Sequence, residues 1–401
     1  RLAFFSPLPP VHSGISDYSK ELIPHLLPHF DMTLFATQRD VDLKGLESLD
    51  IRPIKSFRKS HRERPYDHLL YQMGNGLDHE EIYETALRFP GIVVLHDFIL
   101  HHFIAGITLD RGRYDAYEAE LCDEYGLQQG RELARRMVAP GTSAQDRFRL
   151  FMQHPLNRKL LERSSGVICH SHYVENLVQN LVPNKPVRHI PMGIVIPAES
   201  VLDKAQARSL VKVDRGDFIV ASFGRITPSK RLEPALRAFA RFRKQHPNSR
   251  YLLVGEAEPD YPIEAIVKSM GLSDCVRFVG FSTLDDFERY IRASDVCLNL
   301  RYPTAGETSA GLLRIMAAGR PVLVSDCGSF SELPDSVALK VPVGHQGREE
   351  ELIFRYLTLL AEQPQIADAI GRNTRQHVLQ EHPLDLAASR YREFISSLEQ
   401  A

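Results

Sequence analysis

The densest concentration of chemically useful side chains is the run Phe223-Gly224-Arg225-Ile226-Thr227-Pro228-Ser229-Lys230-Arg231, which follows an apolar stretch and precedes a helical pattern carrying Leu232, Leu236 and Phe239. Gly224 permits close approach of the backbone to a ligand. Arg225 can pair bidentately with a phosphate, and Lys230 supplies a compact positive charge. The run fits an anion cradle, and taken alone it fits a strand–helix turn with exposed basic residues as well. A second run, Pro303-Thr304-Ala305-Gly306-Glu307-Thr308-Ser309, precedes the helical pattern Leu312, Leu313, Ile315, Met316. Thr308 and Ser309 fall where that helix begins, so its unpaired amides and positive dipole end can receive a diphosphate. Glu307 can accept hydrogen bonds from sugar hydroxyls, or it can belong to an ordinary helix cap.

Near the start, Pro9-Pro10-Val11-His12-Ser13-Gly14-Ile15-Ser16-Asp17-Tyr18 joins a short apolar run to an amphipathic stretch. Gly14 could admit a phosphate or sugar, or serve a plain proline–glycine turn. The run is not a G-x-G-x-x-G fingerprint, so a dinucleotide-binding enzyme is not supported. His96 ends the apolar run Ile92–Leu95 and is placed to hydrogen-bond a sugar hydroxyl, or to be structural. A metal cluster of His96 with Asp97, His101 and His102 lacks a further ligand set, and no metal site is expected. Asp40-Val41-Asp42 is a pair of the kind that can hold Mg²⁺ on a nucleotide diphosphate, although a solvated turn is its simpler reading.

These residues need elements to position them. Apolar runs at Leu2–Phe5, Met32–Phe35, Leu69–Gln72, Ile92–His96, Val167–His170 and Val187–Ile190 read as buried parallel strands with helices between. The series restarts at Phe218–Phe223, Tyr251–Val254, Val276–Phe278, Val296–Leu300, Val322–Ser325 and Ala338–Val341. Two α/β sheets are expected. The linker is expected at Pro191–Pro197, followed by a polar stretch without periodicity through Asp217. Ligands of open α/β sheets bind beyond the carboxyl ends of the strands, so an interdomain cleft is the expected active site. Residues 98–160 read as a helical insertion in the first sheet, and its Arg131, Arg135, Arg136, Arg147 and Arg149 form either a solvated face or a basic surface for an acceptor or membrane.

Length and composition agree with this organisation. The 401 residues exceed what one hydrophobic core usually supports, and 43% hydrophobic and 25% charged residues exclude a collagenous or disordered chain. Lys plus Arg is 49 against Asp plus Glu 51, so the formal charge is -2 and no nucleic-acid partner is expected. Cys122, Cys169, Cys275, Cys297 and Cys327 are odd in number and contain no C-x-x-C pair, which points to a reducing compartment and neither zinc nor a disulfide framework. The first apolar run is too short for a signal-peptide core and no run approaches a membrane span, so the expectation is cytoplasmic.

Taken together the motifs resemble those of the retaining group 1 (family 4) glycosyltransferases of the GT-B fold, over nearly the whole chain. The resemblance rests on the opening S-P-L-P-P-V-H-S-G-I-S-D-Y-S, then V-L-H-D, F-G-R-I-T-P-S-K-R, Y-L-L-V-G-E, V-R-F-V-G-F, A-S-D-V-C-L-N-L and A-A-G-R-P-V-L-V-S-D. It implies two Rossmann-like α/β/α domains facing across a cleft: residues 1–195 on the acceptor side and 196–380 binding the nucleotide sugar. Residues 381–401 form a helix crossing back to the first domain. It assigns Gly14, Gly224, Arg225 and Lys230 to the donor, Phe281 beside the base, Thr308 and Ser309 at the diphosphate, and Glu307 and His96 near the transferred sugar.

The resemblance further implies transfer of a hexose from a GDP- or UDP-sugar, with retention, without a metal or other cofactor, and with domain closure excluding water. The acceptor it implies is a glycan or lipid-linked acceptor in polysaccharide or glycoconjugate synthesis, with peripheral contact at the inner face of the cytoplasmic membrane as a natural setting. One motif departs from the pattern. The family commonly carries two glutamates with seven residues between them, whereas Glu307 is followed after six residues by Arg314, which cannot accept ribose hydrogen bonds. Arg314 can instead pair with Glu307 or approach the donor. The departure keeps open a non-catalytic nucleotide-sugar-binding subunit, beside an epimerase or hydrolase on the same fold.

Overall fold

Two all-parallel sheets organise the chain in the computed structural model, which describes residues 1–38, 40–43, 45, 48–197 and 202–399. The first contains β1 (Leu2–Phe5), β2 (Met32–Ala36), β3 (Asp50–Pro53), β4 (His68–Met73), β5 (Ile92–Leu95), β6 (Gly166–Cys169) and β7 (Val187–His189). Their order is β3-β2-β1-β4-β5-β6-β7. The second contains β8 (Phe218–Phe223), β9 (Ser249–Val254), β10 (Val276–Gly280), β11 (Val296–Asn299), β12 (Val322–Ser325) and β13 (Leu339–Val341), in the order β10-β9-β8-β11-β12-β13. Each sheet reverses its winding beside its first strand, between β1 and β4 and between β8 and β11. Such switch points open a crevice at the strands' carboxyl ends. The loop carrying Gly14 leaves β1 and the loop carrying Gly224 leaves β8, so both motifs lie at the switch point of their own sheet.

The connections of the first sheet are α1 (Gly14–Leu26), α2 (Phe57–Glu63), α3 (Glu80–Arg88), an inserted set α4 (His101–Ile107), α5 (Tyr114–Tyr125), α6 (Leu127–Val138), α7 (Ala144–Gln153) and α8 (Arg158–Arg163), then α9 (His172–Leu181). The remaining helices are α10 (Lys204–Leu210), α11 (Leu232–Gln245), α12 (Ile263–Ser269), α13 (Leu284–Ala293), α14 (Ala310–Ala317), α15 (Gln346–Glu362), α16 (Pro364–Glu381) and α17 (Leu384–Ser397). Helix starts follow local chemistry. Ser13, Ser143, Ser171, Thr283 and Ser309 each cap a helix by accepting an amide three residues on.

Two features depart from the strand and linker pattern expected from sequence. β3, with sequence Asp-Ile-Arg-Pro, is a half-exposed edge strand whose residues offer no apolar alternation, and proline is tolerated there because an edge needs fewer ladder donors. The polar stretch after Pro197 contains α10, nucleated by a reciprocal capping box between Asp203 and Gln206 rather than by an apolar stripe.

The chain divides into two compact units, 1–193 with 305–308 and 384–401, and 194–304 with 309–383. The expected boundary near 195 thus falls between Gly193 and Ile194, whereas residues 305–308, expected in the second domain, group with the first. In the first unit Phe5 stacks on Phe35 at 5.0 Å and on Tyr71 at 4.5 Å beneath the sheet. In the second, Phe239, Phe242 and Tyr251 fill the equivalent place between β8, β9 and α11.

Helix α17 belongs to the first unit. Its Tyr391, Phe394 and Ile395 are buried, and the Tyr391 hydroxyl lies 3.3 Å from that of Tyr18 on α1. Gly166 at the start of β6 leaves room for the Phe394 ring, since a Cβ there would meet it at 3.1 Å. Phe394→Ala should therefore lower the unfolding free energy of the first unit by about 3–5 kcal/mol through the cavity it leaves; urea denaturation followed by far-UV circular dichroism measures it.

Candidate functional site

Residues at the carboxyl end of the second sheet form one constellation. Gly224 follows β8 at φ +84°, and its amide donates to the Val254 carbonyl at 2.9 Å. Gly255 leaves no space for a side chain, because a Cβ there would overlap the Gly224 carbonyl. The turn then bends through Pro228–Lys230, with the Lys230 amide donating to the Thr227 carbonyl at 3.1 Å. This returns the Lys230 ammonium to the strand end, where Nζ donates to the Phe223 carbonyl at 2.9 Å and lies 3.3 Å from where a Gly224 Cβ would stand. Lys230 and Gly224 are therefore brought together. Arg225 projects outward with its side chain 70% exposed and Nε 3.8 Å from Glu258. A pair so exposed is weakly held, and its guanidinium can re-aim toward a ligand.

Across the sheet, β11 leads toward α14. Ser309 caps that helix, accepting the Leu312 amide at 3.2 Å, and its hydroxyl donates to Asn299 Oδ1 at 3.1 Å. One amide expected for an anion is thus already engaged by Ser309 itself; those of Ala310 and Gly311 precede the first intrahelical partners. Arg314 is buried with Nη1 3.9 Å from Glu288, and so faces α13. With seven residues between, the second family glutamate would fall at position 315, where the chain has the fully buried Ile315. Arg314 therefore does not stand in for that carboxylate. Phe281, after β10, is 56% exposed.

The first unit carries the other constellation. His96 follows β5, and its imidazole is buried beside His170 at 5.0 Å and Tyr18 at 5.5 Å. Burial, reinforced by the neighbouring His170 and His79, holds it well below the ordinary histidine range, so the ring is neutral. Nε2 lies 2.7 Å from Gln72 Oε1. The neutral ring donates from that nitrogen, which leaves Nδ1 as its acceptor.

Residues 305–308 pack against the loop that follows His96. Phe98 and Ile99 donate their amides to the Ala305 carbonyl at 2.8 and 3.1 Å, and the Thr308 hydroxyl lies 3.5 Å from the His170 carbonyl. Glu307 is buried, and its Oε2 accepts the Ala305 amide at 2.7 Å. The structure thus joins His96, Glu307 and Thr308 in one unit although they are far apart in sequence. His170, buried beside His96, carries one signal in the sequence, a histidine at a strand's carboxyl end, the same as for His96. Gly14 is the first residue of α1, exposed, with open space where a Cβ would be.

The neighbouring histidines are structural. His101 Nδ1 lies 2.6 Å from the His154 carbonyl and Nε2 2.6 Å from the Tyr117 hydroxyl, so both nitrogens tie the inserted helices together. Asp97 accepts the Asn75 amide at 3.0 Å. Of the basic residues in the insertion, Arg131, Arg135 and Arg149 face Glu118, Glu132 and Asp146 at 3.3, 3.9 and 3.5 Å. Asp40 and Asp42 are exposed after β2.

Burial lowers His79 to about 4, His101 to about 3 and His102 to about 4, each from an ordinary value near 6.5. All three are neutral in the folded chain at pH 7, whereas an unfolded imidazole takes up a proton below about pH 6.5. Stability should therefore fall as pH drops from 6.5 toward 4, where the unfolded state binds more protons. Urea midpoints should fall from pH 7.5 to pH 5, and His102→Phe, which keeps a ring against Phe148 and Phe151, should flatten the slope. Midpoints independent of pH would contradict the assignment.

Residues 203–377 match the family model described as glycosyl transferases group 1. The chain is 23% identical over 220 residues to the alpha-monoglucosyldiacylglycerol synthase of Acholeplasma laidlawii, covering 50% of this chain and 54% of that protein. It is 31% identical over 211 residues to the D-inositol 3-phosphate glycosyltransferase of Streptomyces griseus, covering 48% and 42% respectively. The matched stretches span about half the length of these curated relatives. Among solved structures, sucrose-phosphate synthase from Thermosynechococcus elongatus superposes with a TM-score of 0.70 at 19% identity, covering 100% of this chain and 99% of that one. Anabaena HepE in complex with UDP-glucose gives 0.67 at 17%, covering 99% of both. At such identities the likeness is one of fold: two Rossmann-like domains of the GT-B type.

Proposed function

We propose, from the match of residues 203–377 to the group 1 glycosyltransferase family model, that the protein is a retaining glycosyltransferase moving a hexose from a nucleotide-diphospho-sugar to a glycan or lipid-linked acceptor. The observation that carries the reading is the Lys230 ammonium turned back onto the end of β8 beside Gly224. A cation fixed at the switch point of a parallel sheet, beside a glycine that leaves the backbone open, suits a diphosphate. The structures with UDP and UDP-glucose belong to a relative of the same fold, which supports a nucleotide-sugar donor, with UDP- or GDP-hexose the first to test.

In this reading Lys230 and Arg225 neutralise the charge that develops on the departing diphosphate, and the Ala310 and Gly311 amides add the positive end of α14. Fixed charge aimed at a leaving group is electrostatic catalysis. Glu307 and His96 orient the sugar, with His96 Nδ1 accepting from a hydroxyl. The acceptor attacks from the face the diphosphate leaves, so the anomeric configuration is kept. Protein side chains, rather than a divalent cation, supply the compensating charge. The named activities of the lipid and inositol-phosphate glycosyltransferase relatives make a lipid-linked or polyol acceptor a reasonable starting point. No helix among the described residues is long and apolar enough to cross a membrane.

Lys230→Met should lower kcat/KM by about 100-fold or more, the scale of removing one charge-stabilising donor, with wild-type circular dichroism. Turnover should persist in EDTA, and nuclear magnetic resonance of the product should show the donor's anomeric configuration. A Lys230→Met enzyme of wild-type efficiency would refute the diphosphate assignment, and release of free sugar with acceptor present would indicate a hydrolase.

A further inference from the structure

Arg231 adopts the left-handed conformation, φ +55° and ψ +36°, immediately after Lys230 and at the N-cap of α11. An L side chain is strained there, and glycine is the unstrained choice. What the chain places there is a guanidinium making a two-point pair with Glu349: Nε to Oε1 at 3.0 Å and Nη2 to Oε2 at 2.5 Å. Glu349 lies in the first turn of α15, and its side chain is 0% exposed. A carboxylate buried this completely is tolerated only when paired and hydrogen-bonded.

The pair fixes a turn that is also held from its other side. The Tyr302 amide donates to the Ser229 carbonyl at 2.8 Å, and the hydroxyls of Thr227 and Ser229 lie 2.8 Å apart. Residues 227–231 are therefore tied to α15 at one end and to the loop after β11 at the other, with Lys230 between the two ties. The neighbouring pairs along the α11–α15 seam differ in kind. Arg237 with Glu350 at 3.0 Å and Arg241 with Glu351 at 2.7 Å are partly exposed, and neither arginine is in the turn. Glu349 is the buried member of that row, and it reaches the residue next to the cation.

We infer that Arg231 and Glu349 are positioning residues which hold Lys230 in its diphosphate-binding geometry, an inference that rests on the function proposed above. Neither touches the ligand; both act through the turn. Losing the pair lets residues 228–231 sample other conformations, so that binding a nucleoside diphosphate must first order them, which weakens affinity without removing the cation.

The test measures binding of UDP and of GDP to the full chain by isothermal titration calorimetry. The variants are Glu349→Gln, Arg231→Gly, Arg231→Lys, Lys230→Met, the double variant Lys230→Met/Glu349→Gln, and Glu351→Gln as a seam control. Arg231→Gly suits the left-handed turn and so removes the clamp without new strain. Circular dichroism and a cooperative melt check that each variant is folded. Glu349→Gln and Arg231→Gly should each weaken the Kd of whichever nucleotide the wild type binds by about tenfold or more, Arg231→Lys should fall between, and Glu351→Gln should match the wild type. The double variant should bind no more weakly than Lys230→Met alone, because the clamp acts through that lysine; a merely structural role would add its own loss. Folded Glu349→Gln and Arg231→Gly proteins of wild-type affinity, beside a weakened Lys230→Met, overturn the clamp and leave the function standing. Wild-type affinity in Lys230→Met, or no binding of either nucleotide by the wild type, overturns the donor reading and the clamp with it.

Discussion

A lysine ammonium held 2.9 Å from the last carbonyl of a central parallel strand is the contact on which the geometry of the 224–231 turn depends. Parallel strands end with carbonyls and amides that no neighbour completes, and the switch point beside β8 concentrates them where a ligand can enter. Lys230 reaches that point because the chain turns back on itself within residues 224–231. The turn requires an open glycine at its start, a glycine neighbour at Gly255, and a left-handed residue at its end. The positive charge follows from the path of the backbone, and the path from those few residues.

The second unit thus offers the Lys230 ammonium at the end of β8, and the first a group of buried hydrogen-bonding side chains. His96 is uncharged because it is buried, and its proton sits on the nitrogen facing Gln72. Glu307 spends one carboxylate oxygen on the amide of Ala305, which shapes the loop that carries it. Changes in pH below neutrality act on the stability of the first unit through its buried imidazoles.

Much of this was legible in the sequence because burial on both faces leaves a plain mark. The runs LAFF, IVVL and FIVASF are continuous apolar strands and are recognisable as such. The motif from Phe223 to Arg231 is legible as a turn between a strand and a helix, with an apolar run before it and a helical pattern after it. β3 is not, since an edge strand needs no apolar alternation; α10 is not, since its start rests on a capping box. The contacts that refine the site are long-range. Arg231 meets Glu349 across 118 positions, and Phe98 meets Ala305 across more than two hundred. Nothing local announces either. The departure at Arg314 was visible, yet its meaning was not: only the fold shows Arg314 turned to Glu288 and Ile315 sealed in the core.

The most direct test of the account is a thermal-shift series on the full chain with UDP-, GDP- and ADP-hexoses and their free nucleotides, run in parallel on the wild type and on Lys230→Met. A ligand that binds the folded state raises its apparent stability. The account predicts that one nucleotide class raises the wild-type melting temperature and that the lysine variant, still melting cooperatively, loses most of that rise. Equal shifts in both proteins, or no shift with any of these ligands, would contradict it.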